Sequence, residues 1–334
     1  MINNNSFSIY NKIKIFKNDE SSFKRNFKDR FKVVNIIMLK FFIILLLVIN
    51  ICHYIINKAI FRKKLKIIDY KNLILNFKFD VFYSYLNTAK NKSSIFQLLK
   101  PKDVLGKNKV RIGREGDGGY ILLNDFENIK FAYSFGISYE ISFDKALADK
   151  NIDVFMYDHT IEGLPIYNPK LHWKKIGLTE KNGGSNNMKT LDELIKENFH
   201  EKEKNMILKM DIEGPEWNIF NDLNNEILKK FKYIIIEFHF DIEYKSLFIK
   251  VLKKLTEFHQ IFHLHCNNCA TLINIDDINI CLSLEVSLII KENNTFIQSS
   301  ELYPIKNIDF KNCNREDFNN IWNIYHFDNL LNME

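Results

Sequence analysis

The chain has 334 residues, 46% of them apolar and 26% charged, with 11 Gly and 5 Pro; this suffices for a full hydrophobic core and excludes a collagenous, disulfide-scaffold or wholly disordered chain. The formal charge of +6 is unevenly placed: residues 1–66 hold 14 Lys/Arg against 3 Asp/Glu, leaving 33 against 38 in a mildly acidic remainder. A nucleic-acid face needs Lys/Arg to replace phosphate counterions, whereas here the positive charge flanks one apolar stretch and only six of the 47 basic residues are Arg, so no nucleic-acid partner is expected.

Residues 1–32 are polar, Lys- and Asn-rich and without apolar periodicity, and read as a disordered basic tail. Phe41 to Asn57, FFIILLLVINICHYIIN, carries no charge and extends back to Val33 if Lys40 snorkels, giving about the 20 residues that a tilted membrane helix needs. A cleaved signal peptide would start closer to the N-terminus and end in small residues, so 33–57 reads as a retained transmembrane signal-anchor; uniform apolarity and basic flanks disfavour a buried core helix. Eight Lys/Arg precede residue 33 and five follow Asn57, a bias that places the tail in the cytoplasm and the body in the lumen of the endoplasmic reticulum or Golgi, as in a type II single-pass protein. Residues 58–100, with apolar side chains at helical spacing up to Lys100-Pro101, predict a helical stem packed on a single domain spanning 101–334. Cys52 lies in the apolar run, so Cys266, Cys269, Cys281 and Cys313 remain, with three possible pairings. Asn91-Lys92-Ser93 and Asn293-Asn294-Thr295 are glycosylation sequons that matter only in the secretory pathway.

Within 101–334 short apolar runs alternate with helix-like segments. In chain order these are FAYSFGI (131–137), a helix in ISFDKALADK, VFMYDHT (154–160), HWKKIGL (172–178), a helix in MKTLDELIKENF, NMILKMDIEG (205–214), a helix from Trp217 to Lys230, YIIIEFHF (233–240) and a helix near Tyr244 to Phe258. The alternation predicts an α/β fold, a mostly parallel sheet with helices on both faces, and the strand-rich IFHLHCN and CLSLEVSLII predict an antiparallel edge.

Ligands in such sheets sit beyond the carboxyl ends of the strands. The first strand ends in Ser134-Phe135-Gly136, where glycine admits a close backbone approach, and the second ends at Asp158, the spacing at which an acid accepts hydrogen bonds from a ribose diol. The fourth ends in Lys209-Met210-Asp211-Ile212-Glu213-Gly214, where Asp211 and Glu213 share a face if the strand persists. The fifth adds Glu237 and His239, an imidazole able to act as acid, base or orienting group. Neither G-x-G-x-x-G nor G-x-x-x-x-G-K-[ST] occurs, which argues against a diphosphate-cradling dinucleotide or P-loop site; a ribose acid without that cradle suits S-adenosylmethionine. Upstream, Asp117-Gly118-Gly119-Tyr120 is either an ordinary hairpin turn or a tight loop carrying Asp117 and Tyr120 to the site mouth. His263-Leu-His265-Cys266-Asn-Asn-Cys269 lacks a completing ligand pair, so no metal site is expected and a disulfide or buried thiols are favoured; His265 and Asn267 follow a late strand, from which they could reach an acceptor pocket.

The series RIGREGDGGY (111–120), YSFGISYEISFDKALA, MYDHTIEGLP, KTLDELI, ILKMDIEGPEW and IIIEFHF resembles the FkbM-type class I methyltransferases, in the branch with an upstream DGGY element. The resemblance covers about residues 105–290 and implies a Rossmann-like seven-stranded sheet and S-adenosylmethionine as methyl donor. It implies Ser134, Gly136 and Glu140 in the donor loop together with Asp117, Asp158 on the ribose, and Asp211 and Glu213 beside donor and acceptor. The expected reaction is methyl transfer to an oxygen of a sugar or other small hydroxyl compound, a glycan in the lumen suiting the anchor, with Asp211, Glu213 or His239 taking the proton. The alternatives are a membrane-anchored binding module that kept the fold without catalysis, and an NAD(P)-dependent oxidoreductase.

Overall fold

The computed structural model describes residues 84–85, 88–181, 187–275 and 278–315. The chain divides into two units, 1–70 and 71–334, and all described residues belong to the second. The tail at 1–32, the anchor at 33–57 and most of the stem lie outside the described residues, and among those described no helix is long and apolar enough to cross a membrane.

Helix α1 (Ala89–Leu99) buries Ile95, Phe96 and Leu99 in the same core as the sheet. Short strand β1 (Lys102–Val104) and the antiparallel hairpin β2 (Lys109–Ile112) and β3 (Tyr120–Leu123) precede the first central strand, β4 (Phe131–Phe135). Then follow α2 (Ser142–Ala148), β5 (Asp153–Tyr157), β6 (Leu171–Lys174), the small parallel pair β7 (Gly177–Leu178) and β8 (Met188–Lys189), α3 (Leu191–Glu197) and β9 (Met206–Met210). The rest is α4 (Glu216–Asp222), α5 (Asn225–Leu228), β10 (Phe231–His239), α6 (Phe248–Phe258), β11 (His259–Cys266), the hairpin β12 (Leu272–Ile275) and β13 (Ile278–Cys281), β14 (Ser283–Ile290) and β15 (Phe296–Gln298), which pairs with β1.

Seven strands form one sheet in the order β11-β14-β10-β9-β4-β5-β6. All run parallel except β14, which is antiparallel to both β10 and β11. The antiparallel strand is therefore inserted one place in from the edge, not at the edge as the hairpin-like spacing suggested. The edge strand β11 follows α6, a crossover that returns it parallel to β10. One face of the sheet packs on α1, α3, α4, α5 and α6 through residues such as Leu194, Trp217 and Val251; the other is covered by α2 and the β2–β3 hairpin through Leu122, Phe143 and Leu147.

Local chemistry sets the helix limits. Thr190 and Glu193 form a reciprocal capping box that starts α3. The expected single helix from Trp217 to Lys230 is two: Leu223 is extended, and the Asn224 side chain accepts from Glu226 N–H to start α5 afresh. The helix expected from Tyr244 begins at Phe248, behind a 3-10 turn at Ile242–Tyr244. The four remaining cysteines form Cys266–Cys281 and Cys269–Cys313 disulfides; both histidines of the His-x-His-Cys run are buried against carboxylates instead, His263 on Asp309 and His265 on Glu285.

Candidate functional site

The carboxyl ends of β4, β5 and β9 open onto a cavity of about 600 Å³. Its floor depends on one glycine. Gly136 turns out of β4 with φ +69°, and a Cβ there would stand 1.6 Å from the Asp211 carbonyl oxygen, so only glycine lets the two strand ends lie this close. Lys209, buried in the otherwise apolar β9, reaches across to donate to the carbonyls of Gly136 (2.7 Å) and Phe135 (3.3 Å). Its ammonium is 3.5 Å from Asp211 Oδ2 and faces the Tyr120 ring.

Asp158, at the end of β5, is buried at the cavity wall. Its Oδ2 accepts from Ser138 N–H and its Oδ1 from the backbone and hydroxyl of Thr160. Burial alone would raise its pKa, but the Thr160 and Ser138 bonds outweigh it and hold the carboxyl below the usual range. A carboxylate has about four lone-pair sites, so Oδ2 keeps one for a ligand. Glu140 lines the same wall, with Oε1 accepting from Ser142 N–H at the start of α2 and Oε2 paired with Arg114. Burial opposes its ionisation, yet the Ser142 and Arg114 bonds lower its pKa.

The DGGY element satisfies both sequence readings: it is the β2–β3 hairpin turn, and it brings Asp117 and Tyr120 to the cavity. Gly118 has φ +81°, and a Cβ on it would meet Glu140 Cγ at 2.2 Å. Tyr120 donates its hydroxyl to Asp211 Oδ2 at 3.2 Å, while Asp117 accepts from Asn312.

Opposite the Asp158 wall stand the acids of the fourth strand. β9 ends at Met210, so Asp211 and Glu213 do not share a strand face; both still line the cavity, with Glu213 at φ +64° and its side chain exposed. The loop takes this path because Glu216, fully buried, accepts from Ile212 N–H and Gly214 N–H. The same Glu216 Oε1 that accepts from Ile212 N–H also lies 3.2 Å from His239 Nδ1. His239 stands behind the wall, its Nε2 at 3.3 Å from Glu213 and 3.8 Å from Glu237. Desolvation works against its protonation, but Glu216, Glu237 and Glu213 together raise its pKa. Glu237 is driven up by burial and by the nearby charges of Asp211 and Glu285.

Ser134 does not reach the cavity: β4 persists to Phe135, and the side chain is buried with its hydroxyl beside the Asp144 carboxyl. His265 and Asn267 also stay off the cavity, the former on Glu285 and the latter donating to Glu237 at 2.8 Å. Gly136, Glu140, Asp158, Asp117, Asp211 and Glu213 are thus brought together.

Residues 185–269, which hold the capping box, the Lys209–Trp217 stretch and both β10 carboxyl-end groups, match the family model of the Methyltransferase FkbM domain. The match supports an FkbM-type methyltransferase. No curated protein and no solved structure gave a significant match. The seven-stranded, mostly parallel sheet fits a Rossmann-like methyltransferase, and its strands β4, β5 and β6 lie upstream of the matched segment. A methyltransferase domain of this kind generally takes an S-adenosylmethionine-type donor.

Two residues of this site escape sequence reasoning. Lys209 and Glu216 carry no motif of their own, although a charged residue inside the apolar MILKM run and an acid directly after Gly214-Pro215 are each out of place unless paired.

Proposed function

We propose that the protein is a membrane-anchored, S-adenosylmethionine-dependent methyltransferase acting on an oxygen of a sugar or other small hydroxyl acceptor. The observation that carries this reading is the bare Gly136 backbone facing Asp211, with Asp158 at the end of the next strand and an open cavity between them. That cradle fits the donor: Asp158 Oδ2 has a lone pair for a ribose hydroxyl, and the turn from Gly136 to Ser138 lines the cavity beside it.

The donor supplies a methyl group already activated on a sulfonium, so the chain's residues mainly align the acceptor and exclude water. Asp158 and the Gly136–Ser138 backbone hold the nucleoside, while Lys209 and Tyr120 fix Asp211. An acceptor hydroxyl entering beside Asp211 and Glu213 gives its proton to one of these carboxylates as its oxygen takes the methyl. His239 is the weaker candidate for that step, since its surrounding acids favour the protonated ring. Two disulfides support an oxidising compartment, and with the apolar run at 33–57 they favour a lumenal domain on a type II anchor.

The test is calorimetric titration of S-adenosylhomocysteine into the purified full chain, beside Asp158→Ala. Binding that the substitution weakens tenfold or more is expected; absence of binding by a folded chain refutes the reading and favours the anchored non-catalytic module.

A further inference from the structure

At the acceptor side of the cavity three groups with ligand chemistry converge. Asp211, Glu237 and His239 each present one ligand atom, and these atoms lie within 4.8 Å of one another. Their placement follows from the sheet: β10 continues through His239, so Glu237 and His239 project from one face two residues apart, and Asp211 leaves the adjacent strand β9.

Observations other than proximity also ask for a cation. Glu237 is 4% exposed, and its Oε1 takes the hydrogen bonds of Asn267 and Ser283 while its Oε2 accepts none among the described residues. Glu285 stands directly opposite Glu237 in the β10–β14 pairing and Asp211 lies beside it, so like charges crowd this carboxylate. In Asp211, Tyr120 and Lys209 both address Oδ2, which leaves Oδ1 without a hydrogen bond among the described residues. His239 has its Nδ1 held by the buried carboxylate of Glu216, which directs Nε2 toward Glu237 and Glu213. A carboxylate behind the far ring nitrogen is how metal-ligating histidines are ordinarily oriented.

We propose that Asp211, Glu237 and His239 bind a divalent cation, Mn²⁺ or Zn²⁺ in preference to Ca²⁺ or Mg²⁺. Two carboxylates neutralise the ion, and the imidazole shifts the preference away from all-oxygen cations. Of the three ligands Asp211 lines the cavity, and from that side water or acceptor oxygens would complete the coordination. The cation's part in catalysis rests on the methyl-transfer reading: it would fix the acceptor hydroxyl and lower its pKa, leaving Glu213 to take the proton.

The experiment uses the metal-stripped full chain and follows the electron paramagnetic resonance signal of free Mn²⁺ during titration. Expected are loss of that signal for one equivalent of ion, its return on adding Zn²⁺, and affinity about tenfold or more weaker in Glu237→Gln and His239→Gln. Calorimetric binding of S-adenosylhomocysteine to Glu237→Gln should match wild type, which shows the variant folded. If the unaltered chain takes up neither Mn²⁺ nor Zn²⁺, or both variants bind Mn²⁺ as tightly as wild type, the proposal is overturned. Mn²⁺ held by these residues in a chain that ignores S-adenosylhomocysteine would support the cation site and refute the methyl-transfer reading, so the two fail separately.

Discussion

Substituting Gly136 by Ala isolates the contact on which the Gly136 side of the cavity is built. The residue's φ of +69° costs an L side chain about 1–2 kcal/mol. Its added Cβ would stand 1.6 Å from Asp211 O and 2.6 Å from the carbonyl carbon, against 3.4 Å for ordinary contact. Both atoms are backbone, so no rotamer change relieves the clash; β4 and β9 must part. Parting them strains the bond from Asp211 N–H to Phe135 O at 3.2 Å and that from Lys209 to Gly136 O at 2.7 Å, each worth about 1 kcal/mol, on top of roughly 1–3 kcal/mol of overpacking. The sum is on the order of 4–7 kcal/mol, or a fall in Tm of roughly 8–28 °C for a domain of this size. Two other glycines separate the contributions. Gly106 has φ +77° and nothing within 4 Å of the added atom, so Gly106→Ala should show the conformational cost alone, about 1–2 kcal/mol. Gly163 has open space and no such φ, so Gly163→Ala should be neutral or stabilise by about 0.5 kcal/mol. Urea unfolding of the three variants, with S-adenosylhomocysteine titration of each that folds, gives the comparison. A Gly136→Ala protein no less stable than Gly106→Ala would refute the reasoning that this glycine is required by the approach of β9.

Two further outcomes follow from buried groups away from the cavity. Asp144 is fully buried beside Ser134, and burial lifts its pKa to about 6 despite the Ser134 hydroxyl and the Lys209 charge. A raised carboxyl contributes stability that is complete below its unfolded value of 3.8 and is lost as pH rises through 6. Asp144→Asn should therefore stabilise the protein at pH 7, by on the order of 2–3 kcal/mol, and by little at pH 4; equal effects at both pH values in denaturant melts would contradict it. Reduction should destabilise the β11 to β14 end of the sheet, because Cys266–Cys281 closes a loop of sequence separation 15, for which chain entropy predicts about 3 kcal/mol. Unfolding with and without a phosphine reductant measures this, and unchanged stability would mean that native contacts already confine the loop.

Much of the fold was legible because each central strand is a mostly apolar run followed by polar, charged or glycine residues. FAYSF, VFMY and MILKM announce buried parallel strands, and the residues just beyond their ends include Gly136, Asp158, Asp211 and Glu213, all of which line the cavity. What stayed hidden depended on which strand lies beside which. The hairpin-like spacing of β11 and β14 is the same whether the antiparallel strand sits outside or inside; the inside position is fixed by β14 pairing with β10, residue Glu285 opposite Glu237, a long-range register with no local signature. The break at Leu223–Asn224 was written in the sequence as an asparagine able to cap, but the flanking apolar spacing suits one helix as well as two. Ser134 fell inside the strand because β4 runs one residue beyond it, and a serine between Tyr133 and Phe135 looks the same on a wall or under one.

The register that was unreadable is also what concentrates charge behind the Asp211 wall of the cavity. Pairing β14 with β10 sets Glu285 beside Glu237, and pairing β11 with β14 sets His265 beside Glu285, so one sheet face carries a lateral row of ionisable side chains where the other carries Phe238, Leu284 and Leu264. An apolar set on that face would pack with less desolvation. The row instead ends at Asp211 and His239, where the cavity begins, and its buried members each hold a neighbour in place: Asn267 and Ser283 on Glu237, Asn312 and His265 on Glu285, Asp309 on His263. Such a network is stable only when its last acid finds a positive partner, and at the cavity end that partner is the protonated ring of His239 or the cation proposed to replace its proton.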